Sequence, residues 1–324
     1  MRIRIRMRRS FGQIALTVVG AIVPAVTTLP AQAPRDTTGL QRLLQAELTR
    51  FPGKATIWVK HLSRGVEAGV RADESMNSAS VIKIPVLVLA FQLVDQGQLS
   101  LAERITITQA DMRGGSGIFR HHDPGLQPTL RDVLLQMIIT SDNTATDLAI
   151  ARVGGVARVN SWLAAQGFGD ELKLTMTTGE LFAKYGALPQ GANRNEKTTT
   201  DKTYWLGDMT ARATGRMLEA IQRCSDDSAP APAIASKTAC ADMIRMMRAQ
   251  QSGARRLPHF LNLGVAHKTG DFAPMLANDV GIVFARSGPI IVSFFTNAIQ
   301  GPYAEAEDRM GRITQMIVDY FDGR

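Results

Sequence analysis

Residues 80–94 begin Ser80-Val81-Ile82-Lys83-Ile84-Pro85-Val86-Leu87 and stay apolar to Val94 apart from Gln92, with Lys83 as the one basic side chain. Proline is tolerated in a first helical turn, where a backbone N–H has no partner to lose. The run therefore reads as a helix over Val81–Val94, with Ser80 at or near its N-terminus. A serine followed three positions later by a lysine puts a hydroxyl and an amine on one helical face. Serine is a weak nucleophile until a base takes its proton. Lysine serves as that base only when burial or a second cation lowers its pKa.

On the N-terminal side, Ala55–His61 and Val66–Arg71 alternate as two strands joined by a turn at Ser63-Arg64-Gly65. Before them, Leu40, Leu43, Leu44 and Leu48 recur at helical spacing, giving a helix over Thr38–Phe51 that Pro52-Gly53 stops. On the C-terminal side, Thr129–Thr140, Asn143–Val153, Val156–Gln166, Thr210–Arg223 and Thr238–Gln250 carry helical periodicity. The pattern then changes to strands at Gly264–Lys268, Asp279–Arg286 and Ile290–Asn297, and a last helix covers Ala304–Phe321. Strands at both ends with helices between them predict an α+β fold: an antiparallel sheet flanked by N- and C-terminal helices, with an inserted all-helical lobe. The weakly patterned stretch Thr175–Leu206 reads as a long surface loop, of the kind that often carries function.

The ends and the composition set the compartment. Met1–Arg9 holds five arginines and no acid, Ile14–Val26 is apolar and uncharged, and Ala31-Gln32-Ala33 follows. That is the order of a secretory signal, so residues 1–33 are expected to be removed and residues 34–324 to form the working domain. Pro34 disfavours a cut after Ala33, which leaves a cut after Ala25, or an uncleaved anchor, as alternatives. An exported protein, periplasmic or secreted and monomeric, is expected. Net charge is +8, but five of its arginines lie in residues 1–9. The basic balance is therefore partly a targeting feature, and no basic, aromatic-interleaved patch speaks for nucleic acid. The two cysteines, Cys224 and Cys240, suit a disulfide in an oxidising compartment or two free thiols; sequence does not give their separation.

Two further triplets follow the first. Ser141-Asp142-Asn143 sits between two predicted helices, and Lys268-Thr269-Gly270 ends a predicted strand. Each triplet alone is a weak signal; the three in order, each in its expected context, are specific. Lys268 is a candidate for the second cation near Lys83. Ser141 is a candidate proton relay, Asn143 a hydrogen-bond partner for a substrate amide, and Lys268 with Thr269 a grip on a substrate carboxylate. Gly270 leaves room for substrate to lie along the strand. Asp142 is expected to face inward and cap the following helix. His121, His122 and Asp123 resemble metal ligands, but no second cluster complements them and a surface loop is the better reading.

These motifs resemble class A β-lactamases and the wider penicillin-recognising serine hydrolases. Gly115-Ser116-Gly117-Ile118, Pro124-Gly125 and Arg256-Leu257-Pro258 are similar to the family as well, and the likeness runs from about Leu40 to Arg324. The resemblance implies acyl transfer through Ser80 without metal or organic cofactor. It also implies an oxyanion hole made of the backbone N–H groups of Ser80 and Asp271. One element departs from the pattern: class A enzymes carry E-x-x-L-N on a loop, where the glutamate activates the deacylating water. Residues 175–206 hold Glu180 and Glu196 as candidates but not that motif. The expected activity is β-lactam hydrolysis. A peptidase or esterase acting on cell-wall peptides, or a β-lactam-binding sensor without turnover, are the alternatives.

Overall fold

The computed structural model describes residues 37–226, 228 and 234–323. The signal segment expected over residues 1–33 lies outside them. In chain order the elements are α1 (Thr37–Thr49), β1 (Lys54–His61), β2 (Val66–Val70), β3 (Met76–Asn77), α2 (Lys83–Asp95), α3 (Leu130–Ile139), α4 (Asn143–Arg152), α5 (Gly155–Ala165) and β4 (Leu172–Leu174). They continue with α6 (Thr178–Gly186), α7 (Arg194–Thr200), β5 (Gly207–Met209), α8 (Ala211–Ser225), α9 (Lys237–Arg248), β6 (Val265–Phe272), β7 (Leu276–Ala285), β8 (Gly288–Asn297) and α10 (Tyr303–Asp322).

Five strands form an antiparallel sheet in the order β2-β1-β8-β7-β6. Side chains alternate across its pleat, and the alternation divides the interior in two. Ile57, Val59, Val292 and Phe294 pack with Leu40, Leu44, Ile313 and Ile317 of α1 and α10. Trp58, Ile291, Phe295, Val280 and Ile282 face the other way, against the helical lobe. At the centre of that lobe lies α2, which is apolar on every side and correspondingly buried. The expected α+β architecture, with terminal helices on one sheet face and an inserted helical lobe, is the one observed.

Two local differences matter for the cleft. The helix expected from Val81 begins instead with a 3-10 turn, Ala79–Ile82, so that Ser80 lies in the turn and Lys83 opens α2. The stretch expected as a surface loop contains α6 and α7, and its ends are joined by the antiparallel pair β4–β5, Leu172 opposite Met209 and Leu174 opposite Gly207. Helix α6 forms because Thr177 and Glu180 make a reciprocal capping box and Leu181 and Tyr185 have buried sites to fill. Cys224 and Cys240 form a disulfide that ties α8 to α9, with Cα atoms 5.9 Å apart.

Candidate active site

Ser80 is held by the backbone on either side of it. Ala79 adopts φ +43°, an uncommon conformation for a residue with a side chain. Its N–H donates to Asn77 Oδ1 at 3.0 Å. Asn278 of β7 fastens the same loop, since its Nδ2 donates to the carbonyls of Asn77 at 2.8 Å and Ser78 at 3.1 Å. Its Oδ1 accepts from Thr296 N at 2.9 Å. The loop also lies against β6. A Cβ on Gly270 would come within 2.5 Å of the Ser78 carbonyl oxygen and 3.2 Å of Ser80 N. Glycine is therefore required at 270 by the approach of the serine loop, a nearer cause than the room for substrate expected from sequence.

The second triplet arrives through another unusual backbone position. Ser141 has φ +55° in the corner between α3 and α4. Asp142 caps α4, with Oδ1 accepting from Ala145 N at 2.8 Å, while Oδ2 accepts from Ile118 N at 2.6 Å and Phe119 N at 2.8 Å. Gly117, at φ +107°, leaves no space for a Cβ, which would sit 2.3 Å from the Asp142 carboxyl. The glycine-containing loop and the Ser141 corner thus lock together around one buried carboxylate.

Two buried lysines meet at Ser141. Lys83 Nζ donates to Ser141 O at 2.7 Å, Ser141 Oγ at 3.1 Å and Asn143 Oδ1 at 3.0 Å. Lys268 Nζ donates to Ser141 Oγ at 3.1 Å and to Thr269 O at 2.9 Å. Both side chains are fully buried. The Ser141 hydroxyl accepts from both amines, so its own hydrogen is free to point into the cleft. Burial, and behind it the charge of Lys268, hold the Lys83 pKa well below the ordinary lysine range, against the opposing pull of Asp142, Asp147 and Asp271. Burial likewise brings Lys268 down to about 8, with Arg256 adding to the effect and Asp271 and Asp279 opposing it. The bonds of Lys83 run to Ser141 and Asn143, not to the Ser80 hydroxyl toward which the three-residue spacing alone aims it.

The cleft in front of this cluster has a volume of about 340 Å³. Ser80, Ser116, Ser141 and Asn143 line one wall, and Thr178, Leu181, Phe182 and Leu206 line the other. Ser252, Asp271 and Phe272 close the strand side. Asn143 is largely committed within the protein, because its Nδ2 donates to Gly114 O at 2.9 Å while its Oδ1 serves Lys83. The Thr269 hydroxyl lies 2.8 Å from Ser252 Oγ.

Glu180 does not stand in this cleft. Its carboxylate accepts from Thr177 N at 2.7 Å and from Thr177 Oγ1 at 2.9 Å, closing the first turn of α6, and the residue is exposed. The expectation that it activates water is not supported by its placement. Glu196 is also exposed, on α7, and is absent from the cleft lining. Thr178 occupies the wall instead, its hydroxyl 2.8 Å from Asp147 Oδ1. His267 turns away from the cleft, with Nδ1 2.8 Å from Asp279 Oδ1. His121, His122 and Asp123 are exposed, and among the described residues no group of three acidic, histidine or cysteine side chains is placed to hold a metal.

Several contributors were not singled out from sequence. Asn278, Thr178, Asp147 and Ser252 act through partners distant in the chain. Asn278 had one faint signal, a carboxamide inside an otherwise apolar strand.

The sheet-and-helix scaffold, with a serine loop and two buried lysines converging on one cleft, defines the β-lactamase-like α+β class. A family model described as the β-lactamase enzyme family matches residues 39–321, and the chain belongs to that family. The β-lactamase VEB-1 of Pseudomonas aeruginosa is 25% identical over 65% of this chain, and the matched stretch spans 66% of VEB-1, just under two thirds. The β-lactamase CTX-M-97 of Escherichia coli is 24% identical, with 94% of each chain covered. The solved β-lactamase of Sphaerobacter thermophilus superposes with a TM-score of 0.72 at 26% identity, covering 89% of this chain and 99% of that one. The likeness to class A β-lactamases drawn from the three triplets stands.

Proposed function

We propose that this hydrolase opens β-lactam rings by forming an acyl ester on Ser80 and releasing it with water. The observation that carries this reading is the pair of buried lysines meeting at the Ser141 hydroxyl beside Ser80. Neutral Lys83 receives the Ser80 proton, directly or through Ser141, as the Ser80 oxygen attacks the ring carbonyl. The backbone N–H groups of Ser80 and Asp271 stabilise the oxyanion. Ser141 passes its hydrogen to the departing ring nitrogen and is reprotonated from Lys83, so the proton taken from Ser80 ends on the leaving group. Lys268 and Thr269 bind an anionic group, and Asn143 orients a substrate amide. No cofactor enters these steps. The protein is read as an exported monomer, periplasmic or secreted. Among the described residues no helix is long and apolar enough to cross a membrane.

A second reading has its own support. Asp271 is the only carboxylate lining the cleft among the described residues, and the wall opposite Ser80 offers hydroxyl and apolar groups. A site equipped for acylation but without a carboxylate base on that wall suits a peptidase or esterase on cell-wall peptides, or a sensor that keeps its acyl group. One experiment separates the two readings. A chromogenic cephalosporin is mixed with protein lacking residues 1–33, and colour and intact mass are followed together. Sustained colour with little adduct supports hydrolysis, and a single adduct without turnover supports the second reading. Ser80→Ala is expected to abolish both signals. An adduct that persists in that variant would overturn the assignment of the nucleophile.

A further inference from the structure

Among the described residues the exposed large apolar side chains are Ile118, 42% accessible, and Phe182, 38% accessible. Phe182 lines the cleft on the α6 wall, and Ile118 lies two positions past Ser116, which lines the opposite wall. The Phe182 ring reaches toward that opposite wall. Gly115 has φ +83°, and a Cβ there would lie 3.0 Å from Phe182 Cζ and 2.7 Å from Asn143 Nδ2. The tip of the ring and the Asn143 carboxamide thus converge on one point, beside a residue that has no side chain to fill it.

The rest of the α6 wall is equally short of polar groups turned to a ligand. Leu181 and Leu206 line it and are otherwise buried. Phe272 closes the far side, with its ring 5.4 Å from Tyr185, which in turn lies 5.1 Å from Tyr204. The Tyr185 hydroxyl is 2.7 Å from Thr198 Oγ1, which fixes the aromatic row behind Phe272. Thr178 brings a hydroxyl, but its one hydrogen already has Asp147 Oδ1 at 2.8 Å and Asn143 O at 3.2 Å as acceptors. Apolar surface that is exposed and continuous with a few polar, reactive groups is the usual make-up of a ligand cleft.

Building on the acyl-Ser80 reading above, we propose that Phe182 is a specificity-determining residue for the acyl half of the substrate, selecting acyl groups that carry an apolar chain or ring over those with a short or polar arm. The occupant follows from continuity with Ser80. On that reading the leaving nitrogen meets Ser141 and the anionic group meets Lys268 and Thr269, so the leaving half is held on the strand side. The acyl half, whose amide Asn143 orients, runs from the Ser80 ester past Asn143 to the ring beside it. Covering an arm with this ring removes apolar surface from water, and each methylene fully covered is worth about fourfold in binding.

The test uses one chromogenic cephalosporin nucleus, its carboxylate intact, with acetyl, hexanoyl, phenylacetyl or (2-hydroxyethoxy)acetyl as the arm; the last is as long as hexanoyl but polar. Second-order rate constants for acylation of Ser80 are measured by intact mass and colour. In the unmodified protein the hexanoyl and phenylacetyl arms are expected to react about tenfold or more faster than the other two. The preference is expected to persist at high ionic strength, because no charge distinguishes the arms. Phe182→Ala is expected to reduce it to within about threefold, while Phe182→Leu, which keeps apolar bulk, retains most of the hexanoyl preference. Affinities of the same compounds for Ser80→Ala, measured by calorimetry, are expected to rank in the same order. Equal rates for all arms in the unmodified protein, a polar arm as fast as hexanoyl, or a preference unchanged in Phe182→Ala would overturn the proposal. The arm series on unmodified protein decides the matter if the variants do not fold. Absence of an adduct with every arm, with the affinity ranking intact, refutes the acyl-Ser80 reading and leaves the role of Phe182 standing; adducts without any ranking do the reverse.

Discussion

The two long walls of the cleft handle charge in opposite ways. On the serine wall, Lys83 and Lys268 are withdrawn completely from water and share one hydroxyl. On the facing wall, built from residues 175–206, the carboxylates of Glu180 and Glu196 belong to exposed residues, and Thr178, Leu181 and Phe182 face the cleft. The first arrangement lowers the pKa of an amine and so prepares a base. The second places its acids where water solvates them, and the Glu180 carboxylate closes the first turn of α6. On the proposed reading, the step which loads Ser80 has a prepared base, while the facing wall presents no carboxylate to the cleft for the step which unloads it.

The largest break in this contrast comes from removing the base. Lys83→Met is expected to slow acylation of Ser80 by on the order of 10³-fold, measured by intact mass, because general-base assistance is typically worth 10²–10⁴-fold. Next in size is the clamp on the serine loop. Asn278→Ala removes the side-chain partner of the Asn77 carbonyl and of the Thr296 N–H, and one of two partners of the Ser78 carbonyl, which keeps the Val81 N–H. Each buried polar group left unpaired costs about 1–3 kcal/mol, so a loss of about 3 kcal/mol in denaturant unfolding is expected, with slower acylation because Ser80 is less well placed.

The buried lysines also make an unusual prediction about pH. A lysine whose folded pKa is depressed destabilises the fold while both states are protonated. That penalty is relieved as pH rises from the folded value toward the unfolded one. For Lys268 the window runs from about 8 to 10.5. Relative to Lys268→Met, the unmodified protein is expected to gain about 3 kcal/mol of stability across it, read from urea melts at each pH. The rate should respond as well: acylation rises as pH passes the lowered Lys83 pKa, and binding of an anionic group weakens above about 8 as Lys268 loses its charge. The smallest expected effect is on the facing wall. Glu180→Gln is expected to leave loss of the acyl group unchanged within about twofold and to lower stability by about 0.5 kcal/mol, the scale of a weakened helix-terminal interaction.

How much of this was legible in sequence follows the same division. The serine wall is specified by short local patterns: the first triplet falls at the entry to α2 and the second at the corner before α4, while the third, expected to end a strand, lies inside β6, which runs on to Phe272. The distances among them depend on the alternation that divides the sheet's two faces, which was also readable. The facing wall was harder. Its path depends on β4 pairing with β5 across more than thirty residues, a contact that three-residue strands do not announce. Yet one part was written plainly: Thr177 followed three positions later by Glu180 is a capping-box pattern. Read as a helix start rather than as a catalytic acid, it gives both the existence of α6 and the outward turn of the carboxylate. Gly270 teaches a related point. Its smallness was attributed to substrate, but the nearest atoms that forbid a side chain belong to the protein's own serine loop.

The central claim is that burial and Lys268 make Lys83 a base, and titrating Lys83 tests it most directly. The protein would be labelled at lysine 13Cε, the Lys83 resonance assigned by its loss in Lys83→Met, and its shift followed from pH 5 to 11. The account predicts a midpoint well below the ordinary lysine value of 10.5, moving upward in Lys268→Met as the neighbouring charge is removed. A Lys83 resonance that stays protonated beyond pH 10, unaffected by Lys268→Met, would contradict it.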